Sequence, residues 1–229
     1  MHTVCLFDID GTLLNSGGAG QLAMERALLE IFDRQGPYED IRAAGRTDFA
    51  ITADLFEFHG ISVDEQTKQR YLEAYFRHLP ISLSELDGVV LPGVEPLLAE
   101  LSPREDIALG LLTGNFEMGA MLKLKHYGLD HHFRFGGYGD SHHDRDDVAR
   151  LAHSAACEFL SVPVEADRVW VIGDTPADVR CGRAIGAKVI AVATGIYSAE
   201  ELEPTRPDYL FESLADVEKV LGVLCGSAA

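Results

Sequence analysis

The stretch that decides the fold is Val4-Cys5-Leu6-Phe7-Asp8-Ile9-Asp10-Gly11-Thr12. An apolar run that ends in two carboxylates and a glycine is the pattern of a buried strand that leads into a site. Asp8 and Asp10 repel each other if both are ionised, so the pair needs a cation, a shared proton or bulk water. Mg²⁺ is the simplest cation for this role, because it binds carboxylate oxygens and retains several waters. The alternative is a turn in which both side chains are merely solvated.

The composition limits the classes of partner. The chain has 229 residues, of which 47% are apolar, and 19 basic residues against 37 acidic ones give a net charge of -18. This charge disfavours nucleic acid and anionic membranes as partners. The four cysteines lack metal-site spacing and predict reduced thiols. No signal peptide and no membrane-length apolar run is recognisable, so we expect a cytoplasmic protein, as a monomer or homodimer.

The order of the predicted elements indicates an α/β fold with an insert. Residues 16–90 show only helical patterns, at about 22–32, 48–59 and 64–79 and more weakly at 82–86, and predict an all-helical insert. From residue 91 onwards strands alternate with helices, which is typical of a parallel sheet. The predicted strands after the first are 107–112, a short one near 133–135, 169–172, 189–192 and 209–211.

Three of the predicted strands end in polar residues. These are Asp8 and Asp10, then Thr113, Gly114 and Asn115, then Asp174 and Asp178. In an open parallel sheet the ligand crevice lies outside the carboxyl ends of the strands, so these groups are expected to converge. Thr113 could donate to a phosphate, together with the amides of Gly114 and Asn115 at a helix start. Taken singly, Thr113 and Asp174 could instead be ordinary helix caps, but three such endings in one sheet argue against coincidence.

On these motifs, the chain resembles the haloacid dehalogenase superfamily of phosphohydrolases, in the branch with a helical cap after the first strand. Residues 8–12 match the first motif of the family, 111–115 the second and 173–178 the fourth. The resemblance covers nearly the whole chain and is to the branch that includes phosphoglycolate phosphatases and β-phosphoglucomutases. It implies a Rossmann-like three-layer α/β/α core, formed by residues 1–15 and 91–229, and a cap formed by residues 16–90.

The resemblance also implies a role for each motif residue. Asp8 is expected to be the nucleophile that forms an aspartyl phosphate, and Asp10 the general acid/base, which also meets Mg²⁺ through its main chain. Thr113 is expected to hold the phosphoryl group. Asp174 is expected to ligate the metal together with Asp8 and Asp10. Asp178 is expected to support these ligands from behind.

The third motif of the family usually contains a lysine, and residues 139–146 contain none. Arg145 is our candidate for that role, since its guanidinium could neutralise the phosphate and Asp8 together. Lys123 and Lys125 are the alternatives, although both are expected to face solvent. Arg46, in a loop of the cap, is the candidate for binding an anionic substrate tail, with an ordinary surface arginine as the equal alternative.

Together these features predict a Mg²⁺-dependent phosphatase that acts on a small phosphorylated metabolite, with phosphoglycolate or a sugar phosphate as the family's common choices. A phosphomutase of the same fold is the first alternative. A non-catalytic phosphoprotein that resembles a signalling receiver is the alternative from another class. Receivers also place acids, a threonine and a basic residue on a parallel sheet, but the length of the chain and its helical insert argue against one.

Overall fold

The structure is a computed structural model that describes residues 2–36, 43–62 and 64–226. Its strands are β1 (Thr3–Phe7), β2 (Leu14–Asn15), β3 (Val89–Val90), β4 (Ile107–Leu112), β5 (Gly136–Gly137), β6 (Val169–Gly173), β7 (Lys188–Val192) and β8 (Tyr209–Phe211). Its helices are α1 (Ala19–Phe32), α2 (Asp48–Phe58), α3 (Glu65–Glu85), α4 (Val94–Leu101), α5 (Glu117–His126), α6 (Arg145–Leu160), α7 (Pro176–Ala184), α8 (Ala199–Leu202) and α9 (Val217–Leu224).

The main sheet has six parallel strands in the order β5-β4-β1-β6-β7-β8. β1 lies between β4 and β6, with Cys5 opposite Leu109 on one side and Trp170 on the other. Its residues after Thr3 are fully buried, as their apolar run predicts. The two carboxylates that follow β1 therefore emerge at the middle of the sheet.

Helices cover both faces of this sheet. Side chains alternate along a strand, so Cys5 and Phe7 of β1 pack in one apolar cluster with α4, α5 and α9, while Val4 and Leu6 pack in another with α6 and α7. Each large apolar side chain buried in these layers contributes roughly 1.5 to 3 kcal/mol. The predicted three-layer α/β fold with a parallel sheet is confirmed.

The insert consists of α1, α2 and α3, which share an apolar cluster of their own around Leu55, Tyr71 and Tyr75. The chain enters and leaves the insert through β2 and β3, which pair antiparallel. This ribbon escaped prediction because two-residue strands leave no periodicity to detect. The weak helical segment predicted at 82–86 is not separate from the one at 64–79, since α3 continues through Pro80 to Glu85. A proline usually ends a helix, but the burial of Leu79 and Leu83 in the core of the insert keeps α3 helical on both sides of Pro80.

One strand of the sheet lies elsewhere than predicted. The short strand expected near 133–135 is β5, which directly follows that segment, with Gly136 opposite Leu111 and Gly137 opposite Leu112. The apolar alternation of Phe133 and Phe135 suggested the wrong segment. Glycines carry no apolar signal, and a Cβ on Gly137 would lie 2.4 Å from the carbonyl oxygen of Val148 in α6. Close approach of the helix to the sheet is therefore what requires glycine here.

Candidate active site

The carboxyl ends of β1 and β6 bring three acids together. Asp8 follows β1, Asp174 follows β6, and Asp178 lies in the first turn of α7. One carboxylate oxygen from each lies within 4.8 Å of the other two, and all three residues are buried. The convergence expected from the strand ends is thus present in the structure. Three buried carboxylates at this distance are stable only with protons or cations between them.

The pKa values of Asp8 and Asp174 report this crowding. Burial raises the pKa of Asp8 to about 7, and the charges of Asp178 and Asp10 add to the rise while Arg145 opposes it. Burial, followed by the charges of Asp178 and Asp8, raises the pKa of Asp174 to about 8. Near neutral pH the cluster therefore takes up either a proton or a metal cation.

The surroundings of Asp174 suit a metal ligand. A Cβ on Gly195 would lie 1.7 Å from its Oδ2, and a Cβ on Gly11 would lie 2.3 Å from the same oxygen. Thr12 donates its hydroxyl to Oδ1 of Asp174 over 3.1 Å, which fixes the orientation of the carboxylate. Carboxylate oxygens oriented in this way are the ligands that hard divalent cations prefer. Asp8 and Asp174 therefore fit such an ion.

Asp178 is occupied by protein groups on both of its oxygens. The amide and hydroxyl of Thr175 donate to Oδ2 over 3.0 and 2.7 Å, in a capping box that begins α7 at Pro176. Arg145 donates to Oδ1. With its acceptor sites filled in this way, Asp178 is suited to holding neighbouring groups in place, as the sequence suggested.

Arg145 is the first residue of α6 and is buried among the acids. In addition to its bond to Asp178, its Nη2 lies 3.5 Å from Oδ1 of Asp8 and 3.4 Å from the carbonyl oxygen of Leu112. Burial alone would lower the pKa of Arg145, but the carboxylates of Asp178 and Asp8 raise it. The structure thus places a permanent positive charge beside the predicted nucleophile.

The expectation that Lys123 faces solvent is wrong, because only 5% of this residue is exposed. Its Nζ donates to Oδ2 of Asp10 over 2.6 Å and to Oδ1 of Asn115 over 2.7 Å. Burial would raise the pKa of Asp10, but the charge and hydrogen bonds of Lys123 lower it. The side chain is buried because α5 packs against the sheet on one face and against α3 of the insert on another. Lys125 is exposed, as expected.

The Thr113 loop differs in one respect from the prediction. α5 begins at Glu117, after Phe116, so Thr113 is not its cap and the amides of Gly114 and Asn115 precede the helix. The buried Thr113 hydroxyl accepts a bond of 2.8 Å from the side-chain amide of Asn115, which also donates to Asp10 over 2.8 Å. The loop thus joins the second motif directly to the first.

A cavity of about 430 Å³ lies between these residues and the insert. Its lining includes Asp8, Asp10 and Asp174 from the core and Met24, Arg46 and Ile51 from the insert. Arg46 reaches the cavity while its Nη1 binds Oδ2 of Asp54 over 2.6 Å. The insert therefore forms the roof of the site, with both apolar and charged groups.

The beginning of α2 is bound to the core by hydrogen bonds that the sequence did not suggest. The Thr47 hydroxyl donates to the carbonyl oxygen of His142 over 2.6 Å, and the Asp48 amide donates to that of Gly114 over 2.7 Å. The Phe116 amide donates to Oδ2 of Asp48 over 2.9 Å. Burial, opposed by Lys123, raises the pKa of Asp48 to about 6. Hydrogen bonds thus connect the insert to the Thr113 loop at this point.

Comparisons with known proteins agree with this geometry. Residues 5–183 match the family described as haloacid dehalogenase-like hydrolase. The chain is 29% identical over 231 residues to phosphoglycolate phosphatase of Rhodospirillum rubrum, covering 97% of this chain and 92% of the relative. It is 30% identical over 227 residues to validoxylamine A 7'-phosphate phosphatase of Streptomyces hygroscopicus subsp. limoneus, covering 95% of this chain and 96% of the relative. The fold is similar to that of CbbY from Rhodobacter sphaeroides in complex with phosphate, with a TM-score of 0.74 and 21% sequence identity. The match covers 95% of this chain and 96% of CbbY.

Proposed function

This chain belongs to the haloacid dehalogenase-like hydrolases and is a phosphatase, and from that premise we propose that it hydrolyses a small phosphorylated metabolite with Mg²⁺ through an aspartyl phosphate. The observation that carries the proposal is Asp8, a buried carboxylate at the middle strand's end with Arg145 on one side and Asp174 on the other. The substrate class we propose is phosphoglycolate or a sugar phosphate. The names of two relatives, a phosphoglycolate phosphatase and a validoxylamine A 7'-phosphate phosphatase, support this range.

In the first half of the proposed reaction, an oxygen of Asp8 forms a bond to phosphorus while the bond from phosphorus to the ester oxygen breaks. The electron pair of the broken bond passes to the ester oxygen, which takes a proton from Asp10. The Thr113 hydroxyl donates to a phosphoryl oxygen, and Arg145 offsets the negative charge beside Asp8. The amides of Gly114 and Asn115 add donors for the phosphoryl group.

In the second half, water attacks the phosphorus of the aspartyl phosphate and gives its proton to Asp10. The bond between phosphorus and the Asp8 oxygen breaks, and its electron pair restores the carboxylate. Mg²⁺, held by Asp8, Asp174 and the main-chain oxygen of Asp10, would supply neutralisation of the carboxylate and phosphate charges. Asp178 holds Arg145 and the start of α7 in place throughout.

Substrate selection belongs to the insert in this proposal. We take residues 16–90 as a cap domain over a core of residues 1–15 and 91–229, since the insert has its own apolar cluster and forms the roof of the cavity. A volume of about 430 Å³ suits a small metabolite rather than a polymer. Arg46 is the cap residue we propose to contact the substrate, with Asp54 fixing its guanidinium.

The test is a screen of phosphorylated metabolites with Mg²⁺, in which the products are identified. Release of inorganic phosphate is expected. An isomeric phosphate ester would indicate a phosphomutase, and a protein that stays phosphorylated without turnover would indicate a receiver.

Asp8→Asn should abolish turnover with the fold intact, because an amide attacks phosphorus poorly. The wild type quenched during turnover should carry a phosphoryl group that hydroxylamine removes. More than a few percent residual activity in Asp8→Asn would overturn the assignment.

The expectations on partners and location stay predictions. Among the described residues, no helix has both the length and the apolar character needed to cross a membrane. The net charge of -18 continues to disfavour nucleic acid and anionic membranes. A cytoplasmic location and a monomeric or homodimeric state remain to be measured.

A further inference from the structure

Lys123 is a buried cation on the side of the site opposite to Arg145. Arg145 contacts Asp8 and Asp178, whereas Lys123 contacts Asp10 and Asn115. The two basic residues come from different helices, α6 and α5. Two separate cations thus neutralise the acids of the site, one beside the predicted nucleophile and one beside the predicted acid/base.

The hydrogen bonds of Asp10 are unequal at its two oxygens. Oδ2 accepts from Lys123 over 2.6 Å and from the side-chain amide of Asn115 over 2.8 Å. Oδ1 has the Ser16 hydroxyl at 3.5 Å. The Asp10 side chain is 40% exposed and lines the cavity, while Lys123 is buried behind it. One oxygen is therefore held by two donors at short distance, whereas the Ser16 hydroxyl lies at the long end of the hydrogen-bond range from the other.

We propose that Lys123 is a positioning residue, which acts through Asp10 by fixing the orientation of that carboxylate toward the reacting phosphate ester. This inference rests on the proposed role of Asp10 as acid/base. Asn115 completes the arrangement, because its side-chain oxygen accepts from Lys123 while its side-chain nitrogen donates to both Asp10 and Thr113. The phosphate-binding loop and the acid/base are thereby held in one hydrogen-bonded unit. A carboxylate that is free to rotate spends less time in the geometry for proton transfer.

A purely structural role makes a different prediction. A buried lysine that serves only stability can be replaced by methionine of similar length without a specific effect on chemistry. A lysine that acts through Asp10 should affect turnover only while Asp10 is present. A double-mutant cycle between the two residues separates these cases.

The experiment measures kcat and KM for p-nitrophenyl phosphate with Mg²⁺ in the wild type, Lys123→Met, Asp10→Asn and the double variant. Lys123→Met should lower kcat at least about tenfold and change KM by less than about threefold. In the Asp10→Asn background the same substitution should change kcat by less than about twofold. Lys123→Arg should restore part of the activity, since it keeps the charge. Lys125→Met, on the exposed side of the same helix, is the matched control and should stay within about twofold of the wild type.

Equal losses from Lys123→Met with and without Asp10 would overturn the inference, as would a loss confined to KM, which would indicate direct substrate binding. If Lys123→Met does not fold, as judged by its circular dichroism, the cycle is run with Lys123→Arg, whose partial loss should vanish in Asp10→Asn. Normal turnover in Lys123→Met, with none in Asp8→Asn, would refute this inference alone. Full activity in both Asp8→Asn and Asp10→Asn would refute the proposed function itself.

Discussion

Nη2 of Arg145 lies 3.5 Å from Oδ1 of Asp8, and both side chains are buried. The same nitrogen also donates to Oδ1 of Asp178, so the position of the guanidinium does not depend on a bound substrate. Because a fixed charge needs no rearrangement as negative charge develops, it stabilises a transition state more effectively than a mobile one. This relationship supports the proposal that Arg145 takes the role for which the family usually uses a lysine.

Removal of Arg145 should therefore be costly. We expect Arg145→Ala to lower kcat/KM at least about 10²-fold, which corresponds to ~3 kcal/mol for a charge-assisted contact in a site with little water. Arg145→Lys should keep part of the activity, because the charge remains while the forked geometry is lost. Arg150→Ala is the control from the same helix, since Arg150 is exposed and forms its ion pair with Asp147, also on the surface of that helix. Near-normal steady-state kinetics for Arg145→Ala would refute the assignment.

Metal removal should abolish activity. We expect EDTA to eliminate turnover, Mg²⁺ to restore it and Ca²⁺ to restore it poorly, because the higher and looser coordination of Ca²⁺ misaligns the attack. Mg²⁺ should also raise the Tm of the wild type, since binding to the folded state relieves repulsion between Asp8 and Asp174. Asp174→Asn should lose most of that rise in Tm. Full activity after exhaustive chelation would remove the metal from the mechanism.

Gly195 should be sensitive to the addition of a single methyl group. Its Cβ would lie 1.7 Å from Oδ2 of Asp174, so Gly195→Ala must displace the carboxylate or the loop. We expect the Mg²⁺ concentration for half-maximal activity to rise at least about tenfold, as is typical when a group that orients a ligand is disturbed. Titration of activity with Mg²⁺ checks this. An unchanged titration curve would show that Asp174 is not a ligand in the orientation described.

Asp48 should make stability depend on pH. Its pKa is raised from 3.8 to about 6, mainly by burial, so between about pH 4 and 6 the folded state binds more protons at this group than the unfolded state. The contribution of Asp48 to the stability of the wild type should therefore fall as pH rises through that window and level off above it. Asp48→Asn can still accept from Phe116 but does not titrate. Its free energy of unfolding relative to wild type should rise by up to ~3 kcal/mol from pH 4 to pH 7.

Urea unfolding in EDTA at several pH values measures this difference. Asp167→Asn removes an exposed carboxyl and serves as the control, for which the difference from wild type should be nearly constant. A difference for Asp48→Asn that does not change between pH 4 and 7 would contradict the burial of an ionisable group at this position.

The central part of the site could be predicted because its signals are local. An apolar run that ends in Asp8 and Asp10 marks a strand and its end within nine residues, and the endings at Thr113 and Asp174 do the same. Parallel topology then brings the ends of such strands to one edge of the sheet. The helical insert was also predictable, because its amphipathic stripes have a period that a single helix reveals.

Tertiary structure alone decided the partners of the buried charges. Helical periodicity predicts that a polar residue such as Lys123 faces solvent. The sheet and α3 both cover α5, so Lys123 is buried instead. Its contact with Asp10 joins residues 113 positions apart, and the bonds of Asp48 to the Thr113 loop join the insert to the core. The glycine strand β5 was likewise set by the close approach of α6. By itself the sequence determined which acids share the edge of the sheet, because strand ends are encoded locally. Which cation neutralises each acid was decided by how helices distant in the chain pack together, because a charge inside a protein is stabilised by its neighbours in space.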